Sequence, residues 1–192
     1  VRWINGSLLL VAAATLFAGC DDPTAFDFNP ILMTDTVAVA APLPQNVTLP
    51  TALDVTGDGF GSIRGGRFPE RVPHEWDFAV RIREGQIVLI PSRALGEESR
   101  SAITPALEGE TFEGLREAPT GTNFSMERAV PMRVGEVYAA RSREFAAGGF
   151  FGAGCVQYAK IQPLEVDTAN GRVRLRITTN ERCGDPRLVP VD

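Results

Sequence analysis

A chain of 192 residues with 19 Gly and 14 Pro is long enough to bury a core and favours many turns over long helices. Its net charge is −5, and acidic and basic residues are mixed along it with no block of one sign. That balance argues against the basic face that nucleic acid requires, so no nucleic-acid partner is expected.

Residues 1–19 read as an export signal. Arg2 is their one charge, and an apolar run extends from Leu8 to Phe17. Ten residues span about 15 Å as a helix, roughly half the apolar thickness of a bilayer, so the run is too short for a stable transmembrane helix. It ends in Phe17-Ala18-Gly19-Cys20. Small residues before a cysteine resemble the lipobox of bacterial lipoproteins, with Phe17 where Leu is usual. The resemblance implies cleavage before Cys20, diacylglycerol on its thiol and acylation of the new amine. Several acyl chains hold a protein on a membrane where one alone does not. The expected location is the cell envelope, lipid-anchored and facing periplasm or surface. Asp21 and Asp22 follow the anchor and leave the choice of membrane open. Cleavage would leave 173 residues with 18 basic and 24 acidic side chains, a net charge of −6.

Residues 20–47 hold Pro23, Pro30, Pro42 and Pro44 among Asp, Thr, Ala and Asn, which reads as a flexible membrane tether. A single β domain is expected over residues 48–192. The clearest strand covers residues 76–83. Trp76, Phe78, Val80 and Ile82 alternate with Asp77, Ala79, Arg81 and Arg83, the period of a sheet with one buried face. Glu84-Gly85 turns the chain into a second strand at residues 86–90. Shorter strands are expected at residues 51–55, 62–64, 102–107, 129–134 and 136–143. The one helical candidate is residues 111–118, with Thr111 as cap, Phe112 and Leu115 on one face, and Pro119 as stop. Residues 156–166 and 172–179 read as strands joined across Asn170-Gly171, a strong hairpin signal. The expected fold class is an all-β antiparallel sandwich or barrel of about seven to nine strands with one short helix.

With Cys20 assigned to lipid, Cys155 and Cys183 form an even pair for an oxidising compartment. If Asp167 pairs with Arg172, the two cysteines stand one residue out of register. A slightly different loop, or a bulge at Pro163, would close that gap, and a disulfide across the open end of the hairpin is expected.

Few residues suggest chemistry. His74 is the only histidine, no Gly-x-Ser-x-Gly sequence occurs, and the chain is not expected to be an enzyme. Asp54, Thr56, Asp58, the Phe60 carbonyl and Ser62 alternate around Gly, resembling calcium loops of the Asp-x-Asn-x-Asp-Gly type. The closing acid of such a loop falls on Gly65, and a simple Gly-Asp-Gly turn accounts for the same residues. Residues 145–154 contain Phe145, Phe150, Phe151, four Gly and no charge. A loop this apolar either covers the domain's own core or contacts a ligand, a partner or lipid. Rows of Arg81/Arg83 and Arg172/Arg174/Arg176 are expected on a solvated sheet face with acidic partners.

The order of Trp76-Asp77-Phe78-Ala79-Val80-Arg81, Val137-Tyr138-Ala139-Ala140-Arg141, Tyr158-Ala159-Lys160-Ile161-Gln162 and a last strand over residues 173–177, behind a lipobox, resembles the HmuY family of haem-capturing surface lipoproteins. The resemblance implies an all-β fold that carries haem between loops through His or Met axial ligands. His74, Met126 and Met132 are the side chains of those types outside the tether. This chain has a tight Glu84-Gly85 turn where the family has a Gly/Asn-rich stretch, and no ligand residue transfers by motif. The expected function is a lipid-anchored, non-catalytic binding domain for haem or another small apolar ligand, through His74, Phe145, Phe150 and Phe151. The alternative is an assembly lipoprotein that holds a protein partner.

Overall fold

A computed structural model of the chain describes residues 29–56, 65–66, 75–146 and 154–190. Among them, twelve strands form two antiparallel sheets and a two-stranded ribbon. The first sheet runs in the order β1 (Leu32–Ala40), β12 (Arg172–Asn180), β11 (Tyr158–Asp167), β8 (Tyr138–Arg141), β6 (Ala102–Ile103). The second runs β3 (Gly65–Gly66), β2 (Ala52–Leu53), β4 (Phe78–Arg83), β5 (Gln86–Pro91), β7 (Val130–Pro131). The ribbon pairs β9 (Phe145–Ala146) with β10 (Gly154–Cys155). The fold is thus the all-β antiparallel sandwich that the alternating patterns call for, and not a closed barrel. Six of the twelve strands are only two residues long, which is why the strand count exceeds expectation.

The sheets bury one core between them. Leu53, Phe78, Val80 and Leu89 from the second sheet meet Ile103, Tyr138, Ile161, Leu175 and Ile177 from the first. A smaller core lies on the outer face of the first sheet, where Phe112, Leu115, Ala118 and Leu188 cover Val137 and Ala139. Strand β8 is therefore apolar on both faces, as a sheet strand covered on both sides must be. Lys160 is buried in this outer layer. Its Nζ donates to the Leu115 carbonyl at 3.3 Å and lies 4.9 Å from the Phe112 ring centroid. The Arg176 guanidinium sits 4.2 Å from the same ring, and burial first, then Arg176, holds the Lys160 ammonium below its usual range.

The hairpin of β11 and β12 follows the predicted register. Asp167 pairs with Arg172, the register steps between Pro163 and Glu165, and Tyr158 pairs with Asn180. That one-residue bulge brings Cys155 opposite Cys183, joined as a disulfide with 5.1 Å between Cα atoms. The outward arginines find partners: Arg174 bonds Glu165 at 2.5 Å, Arg176 bonds Glu113 at 2.7 Å, and Arg172 donates to the Asn46 side chain at 2.9 Å.

Three expectations are corrected. The tether does not run to residue 47, because β1 pairs with β12 without a break from Leu32↔Asn180 to Ala40↔Arg172. Met33 and Val37 pack on the main core and Val39 is part of it. Asp35, on the same side of the strand, interrupts the apolar alternation and disguises it. The predicted helix at residues 111–118 is a single turn. Thr111 does cap it, its Oγ1 accepting the Gly114 N–H at 2.9 Å and its carbonyl the Leu115 N–H at 3.0 Å. Eight residues with Gly114 inside are too few to offset helix nucleation, and the chain instead pairs with residues 186–188 through Ala118 N–H to Pro186 O and Leu188 N–H to Arg116 O. Helical geometry is limited, among the described residues, to 3-10 turns at Pro44–Asn46, Ser92–Leu95 and Gly121–Asn123. Finally, β4 begins at Phe78, so Trp76 does not continue its inward row and packs with Ala52 and Ala79.

Candidate functional site

Two features stand out from the sandwich, a charged cluster at one end and a groove on one flank. The cluster forms where β2 ends, β4 begins and the chain leaves β8. Arg143 reaches Asp54 with two parallel bonds, its NH1 to Oδ1 at 2.8 Å and its NH2 to Oδ2 at 3.1 Å. The same NH1 lies 3.4 Å from Asp77 Oδ2. Asp77 is fully buried. Its Oδ2 accepts the Val55 N–H at 2.8 Å and its Oδ1 the Arg143 N–H at 2.5 Å. Two carboxyls thus share one guanidinium. Burial and then the charge of Asp54 push the Asp77 carboxyl up to about 7, against the opposing pull of Arg143.

Asp77 ties the two sheets together at this end, since Val55 follows β2 and Arg143 follows β8. Its carbonyl accepts Ser92 N–H and Ser101 Oγ at 2.9 Å each. The polar atoms of the cluster named here are engaged within the protein and Asp77 is closed to solvent, so the arrangement clamps the two sheets together. The sequence pattern placed Asp77 on an outward row and gave no sign of it.

The groove lies between residues 104–108 and 123–131 on the β6–β7 flank and encloses about 990 Å³. Leu107, Phe124, Met126, Val130 and Pro131 give it an apolar wall, while Glu127, Arg128, Arg133 and Glu136 line its charged rim. Two interactions fix its shape. Phe124 is held by Tyr158 with ring centroids 6.3 Å apart, and by the Arg141 guanidinium 5.9 Å away. At the other side the buried Tyr138 hydroxyl accepts the Arg133 N–H at 3.1 Å and meets Pro131 O and Glu136 Oε2 at 2.9 Å each. Of these residues the sequence marked only Met126, as a side chain of an axial-ligand type; the groove itself left no signal, because it is made by loops that come together across the sandwich edge.

Of the residues singled out from sequence, Cys20, Asp58, Phe60, Ser62, His74, Phe150 and Phe151 lie outside the described residues. Phe145 is half-buried in the ribbon and pairs with Cys155, away from the groove. Asp54 and Thr56 are both described. Asp54 is held by Arg143, and its Oδ1 also accepts the Thr56 N–H at 2.9 Å and the Thr56 hydroxyl at 2.6 Å. In this arrangement a guanidinium, not a cation such as calcium, neutralises Asp54. Among the described residues no group of three or more His, Cys, Asp or Glu could hold a metal ion. Of the two methionines considered for haem, Met132 is in the main core and Met126 lines the groove. In comparisons with protein-family models, curated proteins and solved structures, nothing matches this chain. A functional reading has to come from the site's own chemistry.

Proposed function

We propose that this chain is a lipid-anchored envelope protein whose role is binding rather than catalysis, and that the flank groove takes a small apolar ligand. The observation that carries the reading is the groove itself, at the upper end of the roughly 300–1,000 Å³ common for small-molecule sites. Its lining sets apolar Leu107, Phe124, Met126, Val130 and Pro131 beside charged Glu108, Glu127, Arg128, Arg133 and Glu136, which suits a ligand with an apolar body and a polar edge. The lipobox supplies the anchor, and the disulfide fits an oxidising compartment outside the cytosol. Among the described residues no helix is long and apolar enough to cross a membrane. Haem is one candidate ligand, with the Met126 thioether as the one axial donor that lines the groove.

The test is a titration of the purified mature chain with haemin and, separately, with an anilinonaphthalene dye. The dye should brighten and saturate, and Phe124→Ala should weaken its binding at least several-fold. A Soret shift that Met126→Ala alters would assign haem; a flat difference spectrum retires haem and leaves an uncoloured apolar ligand. If neither probe binds, the small-ligand reading falls. The second reading, an assembly lipoprotein, draws on the opposite end of the sandwich. There Leu43, Pro44, Val47 and Leu49 line an apolar depression of about 290 Å³, and Val47 is exposed. Cross-linking from Val47 that recovers no partner counts against it.

A further inference from the structure

We infer that the sandwich stands on the lipid surface by the end that carries the Cys155–Cys183 disulfide, with the turn at residues 41–51 and the β4–β5 hairpin pointing away from the bilayer. The inference deepens the proposed function and rests on the anchor at Cys20. It follows from where the chain enters the sheet. Ile31 is already fixed, its N–H donating to Asn180 Oδ1 at 3.2 Å and its carbonyl accepting the Glu181 N–H at 2.8 Å. One step earlier the Asn29 carbonyl accepts from Arg182 Nε. The chain is therefore held down to Asn29, beside Cys183.

Only the eight residues 21–28 separate Asn29 from Cys20. Nine Cα steps reach about 30 Å when fully extended, and a flexible chain of that length averages roughly 15–18 Å end to end. Strands β11 and β12, of ten and nine residues, make the sandwich about 30 Å tall. Full extension of the tether only just matches the height of the domain and its average span is about half of it, so resting on the far end would require an almost fully stretched link, which chain entropy opposes. A tether running to residue 47 would have reached about 90 Å and left the orientation free. Charge does not pull the β11–β12 face down instead. The mature chain is net −6, and the outward Arg174 and Arg176 are paired with Glu165 and Glu113, leaving these strands no unpaired basic row for anionic lipid. In this pose the flank groove opens sideways with its Phe124 end toward the bilayer, because Phe124 packs on Tyr158 at the level of Asn180.

The experiment uses the full chain, processed in a bacterium and reconstituted in phosphatidylethanolamine–phosphatidylglycerol vesicles. With Cys20 lipidated and the other two cysteines bonded, an introduced cysteine is the one reactive thiol. Glu98→Cys labels the disulfide end and Gln45→Cys the opposite end; both positions are exposed. Energy transfer from a dye at each position to acceptor-labelled lipid should be several-fold stronger from position 98. Inserting a Gly/Ser stretch of about thirty residues after Asp22 should erase most of that difference. Equal or reversed transfer, in protein that floats with the vesicles, overturns the orientation alone. Protein that fails to float overturns the anchor at Cys20 and the orientation with it.

Discussion

The buried carboxyl at the clamp gives the sharpest prediction. Asp77 holds its proton in the folded protein to about pH 7, whereas a carboxyl in an unfolded chain releases it near pH 4. Between those values the folded state binds more protons than the unfolded one, so stability falls as pH rises. The contribution is fully present below about pH 4 and lost as the pH passes through 7. Three pH units correspond to on the order of 4 kcal/mol. The other carboxyls with a clear shift, Glu113, Asp167 and Asp185, all move downward and therefore act below pH 4, outside this window.

The assay is urea unfolding between pH 4.5 and 7.5, read by Trp76 fluorescence. Trp76 is the single tryptophan once residues 1–19 are removed, and it is buried one residue from the clamp. Asp77→Asn removes the titrating proton and should flatten the fall. It also leaves Val55 N–H or Arg143 N–H without its carboxyl acceptor, so at pH 5 the variant should be weaker by about 1–3 kcal/mol. Arg143→Met strips both carboxyls of their shared cation and should cost roughly 3–5 kcal/mol at pH 7.5 and clearly less at pH 4.5. The difference between wild type and Asp77→Asn is the quantity that decides. Equal slopes in the two proteins would refute the reasoning, as would a wild type that gains stability from pH 4.5 to 7.5.

Three further outcomes are expected. Replacing Cys155 and Cys183 by Ser opens a crosslink between residues 28 apart, and chain-entropy arguments put the loss at about 3–4 kcal/mol by urea unfolding. Gly171→Ala should cost about 1–2 kcal/mol in thermal unfolding, because residue 171 sits at φ +65° and a Cβ there would stand 2.9 Å from Leu43 Cδ1. Lys160→Met should change urea stability by less than about 1 kcal/mol, since losing the ammonium's contacts with the Leu115 carbonyl and the Phe112 ring is offset by removing a buried charge beside Arg176.

How much of this was legible depended on how local each interaction is. The β11–β12 hairpin could be read down to its one-residue offset, because Asn170-Gly171 fixes the turn and the cysteine spacing fixes the far end; that the offset is a bulge after Pro163 and not a different loop needed the structure. The alternation of Val173, Leu175 and Ile177 named the inner face correctly, and all three are core residues. The clamp could not be read. Arg143 meets Asp77 across 66 positions and Asp54 across 89. A strand pattern says only which side a residue faces, not that an incoming arginine will cover that side. The groove was hidden for the same reason: residues 104–108 and 123–131 become neighbours only after β6 and β7 take their places at the sandwich edge.

Strand β1 was missed for a different physical reason. An edge strand has to avoid pairing with other molecules, and proteins achieve this with polar outer residues and a charge placed on the inner face. Thr34, Thr36 and Ala38 point outward on β1 and Asp35 lies among its inner positions. Those same residue types, between Pro30 and Pro42, are what a flexible linker is made of. Composition therefore cannot separate an edge strand from a tether; only the partner strand can, and here it lies about 140 positions away, with Thr34 and Thr178 hydroxyls 2.7 Å apart. The distinction has a consequence beyond the fold. Each residue β1 takes into the sheet shortens the link to Cys20 by about 3.5 Å of reach, and the proposed orientation rests on that shortening, from 27 residues between Cys20 and the domain to eight.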